Sequence, residues 1–300
     1  MTWFAALGVA QGQEAAERIQ DSLQSLSPAP EATVSVEIDE SRGVWEAGGY
    51  FRQPPDRIGL ALLASVYGID DFSVYEISEH DWVQEVSRNL PPVRAGRFLV
   101  YGSHCEINAG PAELPILIDA SLAFGTGHHA STQLCLELMS QLFESGARIS
   151  RCADIGCGTG ILSIAAALLW RCRVECCDSD PTAVTVAELN ISANHVAEYI
   201  NAHAVSGAPS ALFPVGTYDL VVANILSEPL IQGALELTSL LGTHGQVILS
   251  GITAEQADEV LATYRTCGLR QVRQQQQGHW VALHLSQDRS GTAGRSSTKS

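Results

Sequence analysis

The stretch "ADIGCGTGILSIA", residues 153–165, decides how this chain is read. It follows an apolar strand and opens an apolar helix, with glycines at every second position: Gly156, Gly158 and Gly160. A glycine turn between a strand and a helix places a ligand at the strand's carboxyl end, where backbone can approach it closely. Dinucleotide folds want G-x-G-x-x-G/A, with a small third residue for helix packing. Here that position is Ile161. Asp154, just before the turn, would repel a pyrophosphate and instead suits a cationic amine such as that of a methionyl group. The alternative reading is a tight turn with no ligand.

Downstream, Asp178 ends the next apolar strand, "RVECCD". An acid about twenty residues after such a loop can hold a ribose diol through two hydrogen bonds, for NAD and S-adenosylmethionine alike. Asp180, followed by Pro181, reads as a helix cap. A third apolar strand, "VVANIL", ends in Asn224, close to the ligand crevice of such sheets. Methyltransferases acting on amide and base nitrogens typically carry Asn/Asp-Pro-Pro-Tyr there. This chain has Asn224-Ile225-Leu226, so a flat clamp is not indicated; an asparagine in this position can also simply form a turn. Upstream, "AFGTGHHAST" (123–132) holds two adjacent histidines, His128 and His129. Their side chains diverge, and no acid or cysteine stands beside them, so no metal is expected. The hydroxyls of Thr126 and Thr132, with the amides opening the next helix, suit a carboxylate.

Around these motifs, strands alternate with helices from 131 onward, implying a largely parallel, doubly wound sheet. The helices expected are "TQLCLELMSQLFESG", "ILSIAAALLW", "PTAVTVAELNISANH", "PLIQGALELTSLL" and "AEQADEVLATYRTCG". The strands expected are "RCADI", "RVECCD", "YDLVVANIL", "QVILSG" and a late pair at "QVRQQQQ" and "WVALHLS". The first eighty residues follow another rhythm. "TWFAALGVA" reads as a strand, and a helix follows with Ile19, Leu23 and Leu26 at helical spacing. "TVSVEI" and "GVWEAGGYF" read as a hairpin. A helix over 57–67 comes next, with Ile58, Leu62 and Val66 along one side, and then the strand "FSVYEIS". The order β-α-β-β-α-β is that of ferredoxin-like domains. The organisation expected is a ferredoxin-like α+β substrate-recognition domain over 1–78 and a connecting helix or linker over 79–95, the helix itself at 79–92. An α/β Rossmann-like domain over 96–285 and a disordered polar tail over 286–300 complete it.

Composition narrows the chemistry. Acids outnumber bases 33 to 17, giving −16, with no basic stripe of the kind nucleic-acid binders display. Such a surface suits a small-molecule enzyme or one with a basic macromolecular partner. The only lysine is Lys299, which removes Schiff-base chemistry and the lysine-bearing phosphate loop together. The eight cysteines form no CxxC pair and lie mostly in apolar runs, as reduced thiols acting as small hydrophobes. No run is long enough to span a membrane. No secretory signal opens the chain, so a cytoplasmic address is expected.

Taken together, "AFGTGHHAST", "DIGCGTGILSIAA", "DSDPTAV", "VVANILSEPL" and "LSGITAEQ" resemble, in this order, bacterial methyltransferases of large-subunit ribosomal protein eleven. The likeness runs from about Thr2 to Leu285. It implies a class I methyltransferase domain preceded by a substrate-recognition domain. It further implies S-adenosyl-L-methionine as cofactor, held by Thr132, Gly156, Asp178 and Asn224, with Asn224 also the catalytic candidate. The implied partner is the basic ribosomal protein, methylated on lysine or other amino groups, with neither direct nucleic-acid binding nor a membrane involved. The family's common Thr-His-Pro-Thr-Thr is here His128-His129-Ala130-Ser131-Thr132, keeping the binding threonine and losing the proline. On this reading "AFGTGHHAST" is a flap or wall over the methionyl end of the cofactor. The rival readings are an RNA or small-substrate N-methyltransferase of the same fold and a nucleotide-dependent oxidoreductase.

Overall fold

Strand β1, Thr2–Gln11, organises the first of two units into which the computed structural model divides, residues 1–90 and 91–300. The structure describes residues 2–39, 42–78, 91–119, 127–205 and 209–287. After β1 come helix α1 (Gln13–Leu23), strands β2 (Ala32–Asp39) and β3 (Val44–Phe51), helix α2 (Arg57–Tyr67) and strand β4 (Ser73–Ser78). The strands form one antiparallel sheet in the order β2-β3-β1-β4. This is the expected ferredoxin-like arrangement. Ile19 and Leu23 of α1, with Leu26 beyond it, pack on Ala6, Phe51 and Leu60 in a core confined to this unit.

Helix α2 starts where the Asp56 carboxylate accepts the Ile58 backbone N–H at 3.0 Å, and it stops at Gly68, whose φ of 66° ends the helical path. It turns Leu60 and Ala64 inward. The stripe expected along its side faces out: Ile58, Leu62 and Val66 are 75%, 63% and 74% exposed.

The connecting helix expected over 79–92 falls mainly on 79–90, outside the described residues. Strand β5 (Val93–Ala95) already belongs to the second unit. It pairs with β6 (Phe98–Tyr101), which runs parallel to β7 (Leu114–Leu117). Then follow α3 (Ala130–Glu144), β8 (Arg151–Ile155), α4 (Ile161–Trp170), β9 (Arg173–Asp178), α5 (Pro181–Ala193), β10 (Ile200–Ala204) and β11 (Tyr218–Asn224). The unit closes with α6 (Ser227–Gln232), α7 (Ala234–Ser239), β12 (Leu241–Thr253), α8 (Ala254–Thr266), β13 (Leu269–Gln277) and β14 (Trp280–Gln287). Seven strands make one sheet in the order β10-β9-β8-β11-β12-β14-β13, parallel except for β14, which runs antiparallel to both neighbours.

Successive residues of the central strands bury on opposite faces. Cys152, Val174, Leu220 and Ile248 belong to one core; Ala153, Val221 and Val247 belong to the other. Burial on both faces explains why these strands read as unbroken apolar runs. Six of the eight cysteines are buried and none is bridged. Burial pushes the Cys177 thiol up to about 12, leaving it an inert hydrophobe.

Two elements differ from the sequence reading. The single helix expected at "PLIQGALELTSLL" is two, broken at Gly233, whose φ of −87° and ψ of 2° leave the helical region. Edge strand β10, "INAHA", was not expected: it is five residues long, and only Ile200 is buried, with two alanines supplying the rest of its alternation. The chain order reverses between β8 and β11, which opens a crevice at their carboxyl ends.

Candidate active site

The crevice is a cavity of about 790 Å³ lying wholly within the second unit. Its first wall is the glycine turn. Gly156 and Cys157 donate their backbone N–H groups to the Cys177 carbonyl at 2.8 and 2.9 Å, tying the turn to the end of β9. Gly158 N–H goes instead to the Asp178 carboxylate at 2.9 Å, and the other Asp178 oxygen accepts the Asp180 N–H at 3.0 Å. Each carboxylate oxygen has two lone pairs, so Asp178 keeps capacity for hydroxyls of a ligand while shaping the loop. Gly156, Gly158 and Asp178 all line the cavity. Asp180 caps α5 through the Thr182 N–H at 2.8 Å, as its position before Pro181 implied.

Asp154 lies beneath the turn with 1% of its surface exposed. Ser163 donates its hydroxyl to one carboxylate oxygen at 2.6 Å, and the other oxygen has no partner among the described residues. Burial raises its pKa to about 6, against the pull of Ser163. A buried acid with an unpaired oxygen fits a ligand that brings a positive charge.

That fit makes a pH dependence testable. The folded pKa exceeds the ordinary value of ~3.9, so ionised Asp154 costs stability as pH rises from about 4 to 6, and the cost is complete above that. A cationic ligand prefers the ionised form. Between pH 7 and 5, where an α-amino group of pKa ~7.7–8.0 stays protonated, cofactor affinity should fall roughly tenfold. Calorimetry across that range checks this. Asp154→Asn should flatten the profile, and a flat wild-type profile would exclude Asp154 from cation binding.

The second wall is the end of β11. Ala223 pairs with Ile155 and Asn224 with Ser250, so Asn224 stands beside the glycine turn on one side and β12 on the other. Its amide nitrogen donates to the Thr132 hydroxyl at 3.1 Å, and its buried carbonyl oxygen has no partner among the described residues. Thr132, in the first turn of α3, has 0% exposure and meets the cavity through Asn224. Structure therefore brings Gly156, Asp178 and Asn224 together around one space, with Thr132 behind Asn224.

Ile225 sits between two glycines that both have positive φ. A Cβ on Gly156 (φ 74°) would lie 2.3 Å from the Ile225 side chain. One on Gly251 (φ 81°) would lie 2.4 Å from the Ile225 carbonyl oxygen. Gly251 follows Ser250 where the β12–β14 register shifts, between Leu249 and Ile252. The two glycines thus let β8 and β12 close on the Asn224-Ile225-Leu226 segment without collision.

The two histidines part company, as their adjacency implied. His128 donates Nε2–H to the Pro91 carbonyl at 2.7 Å. His129 lines the cavity and caps α3, its ring centroid 4.5 Å from that of Trp280 in an edge-to-face contact. Of the proposed flap, residues 123–126 lie outside the described residues. Trp280, Gly251 and Ser163 were not singled out from sequence. "GHW" opening a final antiparallel strand is a visible signal for Trp280, while Ser163 is legible only as a polar residue in the first turn of an apolar helix, nine residues beyond Asp154.

Comparison with known proteins identifies the family. The profile of the family described as "Ribosomal protein L11 methyltransferase (PrmA)" matches residues 4–288. The chain is similar to a "Ribosomal protein L11 methyltransferase" of Brucella abortus (strain S19), 40% identical over 251 residues, covering 83% of this chain and 87% of that one. It is similar to the protein of the same name from Rhizobium etli (strain CIAT 652), 38% identical over 288 residues, covering 93% and 97%. Among solved structures it resembles the ribosomal protein L11 methylase of Lactobacillus delbrueckii subsp. bulgaricus. The TM-score is 0.58 and the identity 28%, over 65% of this chain and 98% of that one. With a family profile spanning nearly its whole length and relatives at 38–40% identity, the chain belongs to the ribosomal protein L11 methyltransferase family.

Proposed function

We propose that this chain transfers methyl groups from S-adenosylmethionine to lysine or other amino groups of ribosomal protein L11, in the cytoplasm where that protein is made. One observation carries the reading: Asn224 lines the cavity beside the glycine turn at the carboxyl edge of β11, its amide nitrogen fixed by Thr132 and its carbonyl oxygen buried with no partner among the described residues. Family membership supports it independently.

S-adenosylmethionine would be held by the Gly156–Gly158 turn and by Asp178 at its ribose diol, with the charge of Asp154, buried beneath the turn, favouring its cationic amine. When bound, it supplies a methyl group on a sulfonium, with a neutral thioether as leaving group. The Asn224 carbonyl oxygen accepts an N–H of the target amine and so turns the nitrogen lone pair toward the cavity. That amine must be neutral, whereas a free lysine has a pKa near ~10.4. The partly buried Ile225 in the wall lowers it by excluding water. Positioning supplies much of the rate.

A dinucleotide-dependent oxidoreductase is disfavoured because Ile161 is buried at 2% exposure, in the place such folds give to a small residue. An RNA substrate is disfavoured by the acid-rich composition. Mass spectrometry of L11 incubated with this chain and S-adenosylmethionine tests the function. Methylated L11 is expected, and unmodified L11 under conditions where the cofactor is bound would refute the assignment. Asp178→Ala should weaken cofactor binding by ~1.5–3 kcal/mol, the scale of lost charge-assisted hydrogen bonds. Unchanged affinity by calorimetry would remove Asp178 from the site.

A further inference from the structure

The end of the cavity away from Asp178 is built from Asn224, Leu226, Gly251, His129 and Trp280. Trp280 is the first residue of β14. Its backbone is paired with Thr253 of β12 and Gln277 of β13. Its ring meets His129 edge-to-face at 4.5 Å and His279 at 5.3 Å with a tilt of 43°. Three parts of the unit thus hold one large aromatic at the wall of a methyl-transfer cavity. An aromatic face attracts an alkylammonium through its quadrupole, and its flat apolar surface can cover the alkyl stem that carries the charge.

His129 has the chemistry of a buttress rather than of a base. Its Nδ1 accepts the Ser131 backbone N–H at 3.4 Å and lies 2.7 Å from the Ser131 hydroxyl. A ring nitrogen that accepts a backbone N–H carries no proton, so the proton of the neutral ring sits on Nε2, which can only donate. Burial, and secondarily His279, hold the imidazole below its ordinary pKa. The neutral ring therefore puts no repelling charge beside an incoming ammonium.

Resting on the reading of this cavity as a methyl-transfer site, we propose that Trp280, propped by His129, is the wall on which the alkylamine arm of the target lies before transfer. The pair selects a primary amine on a flexible apolar stem and removes no proton from it. It is a positioning pair, acting on the substrate arm and not on the cofactor.

The test uses the full chain with L11 and S-adenosylmethionine, measuring cofactor affinity by calorimetry beside steady-state kinetics and a pH profile. Trp280→Ala should raise KM for L11 by ~10–30-fold, the scale of a desolvated cation–π contact, with cofactor affinity within about twofold. Trp280→Phe keeps an aromatic face and should recover most of the loss, which also separates the effect from misfolding. His129→Asn preserves a helix cap and should raise KM while leaving the acid limb of the kcat/KM profile in place. Unchanged KM in both Trp280 variants overturns the proposal, as does loss of cofactor affinity in Trp280→Phe. Disappearance of the acid limb in His129→Asn would make His129 the base and likewise overturn it. A wild-type chain that binds no cofactor fails at the parent reading, a result distinct from all of these.

Discussion

Asn224→Ala is expected to reduce single-turnover methylation at saturating cofactor by ~10²–10³-fold, the loss typical of removing one preorganised polar group from a reacting centre. The size follows from how the amide is held. Its nitrogen is committed to Thr132 at 3.1 Å, and its oxygen is buried with no described partner, so the group enters the reaction already oriented. Alanine removes the only part of the side chain that can address the target nitrogen, while Asp154 and Asp178 stay in place for the cofactor. Affinity for S-adenosylmethionine should therefore change much less than turnover, and rapid-quench methyl incorporation set beside calorimetry reads the two separately. Thr132→Val frees the amide to rotate without deleting it and should lie between wild type and Asn224→Ala. Normal single-turnover rates in Asn224→Ala would reduce the residue to a strand-ending turn former.

The second large effect should come from removing residues 1–90. The core of the first unit, with Ile19, Phe51 and Leu60, shares no residue with the two cores of the second. Every residue lining the cavity lies beyond 90. A chain starting at Pro91 should fold and bind S-adenosylmethionine with affinity close to that of the whole protein. Methylation of L11 should nonetheless be lost. Residues 1–90 carry 15 acids against 5 arginines, a field suited to steering a basic protein toward the enzyme. For the full chain, activity at subsaturating L11 should fall as salt rises, because screening shortens the reach of exposed charges to ~8 Å at physiological ionic strength. A truncated enzyme that methylates L11 at full rate would end the docking role of the first unit.

Much of the architecture could be read before any coordinates, for physical reasons that differ by element. The central parallel strands β8, β9, β11 and β12 were legible because both their faces are buried. The first unit was legible through period-two and helical spacings, and α2 through Asp56 and Gly68 at its ends. Spacing told which residues of α2 share a side and nothing about which side the core takes; Leu60 and Ala64 took it. Gly233 could be tolerated inside a helix, and whether it breaks one depends on packing that lies elsewhere. In the site, Gly156, Asp178 and Asn224 were legible because each ends or follows a strand whose place in the sheet is implied by the alternation. Contacts across large separations were not. Thr132 and Asn224 are 92 residues apart. The meeting of His129 with Trp280 depends on an antiparallel strand returning to the α3 N-terminus, which no local pattern encodes.

The two glycines around Ile225 also govern which sequence changes can travel together in this family. The obstacle beside Gly156 is the Ile225 side chain, and trimming position 225 clears it. An alanine at 156 then faces only the ~1–2 kcal/mol cost of a left-handed backbone. The obstacle beside Gly251 is the carbonyl oxygen of residue 225, which every amino acid possesses. No exchange at 225 compensates for a side chain at 251. One glycine can drift in the company of its neighbour; the other is locked by the backbone itself, whatever the neighbour becomes.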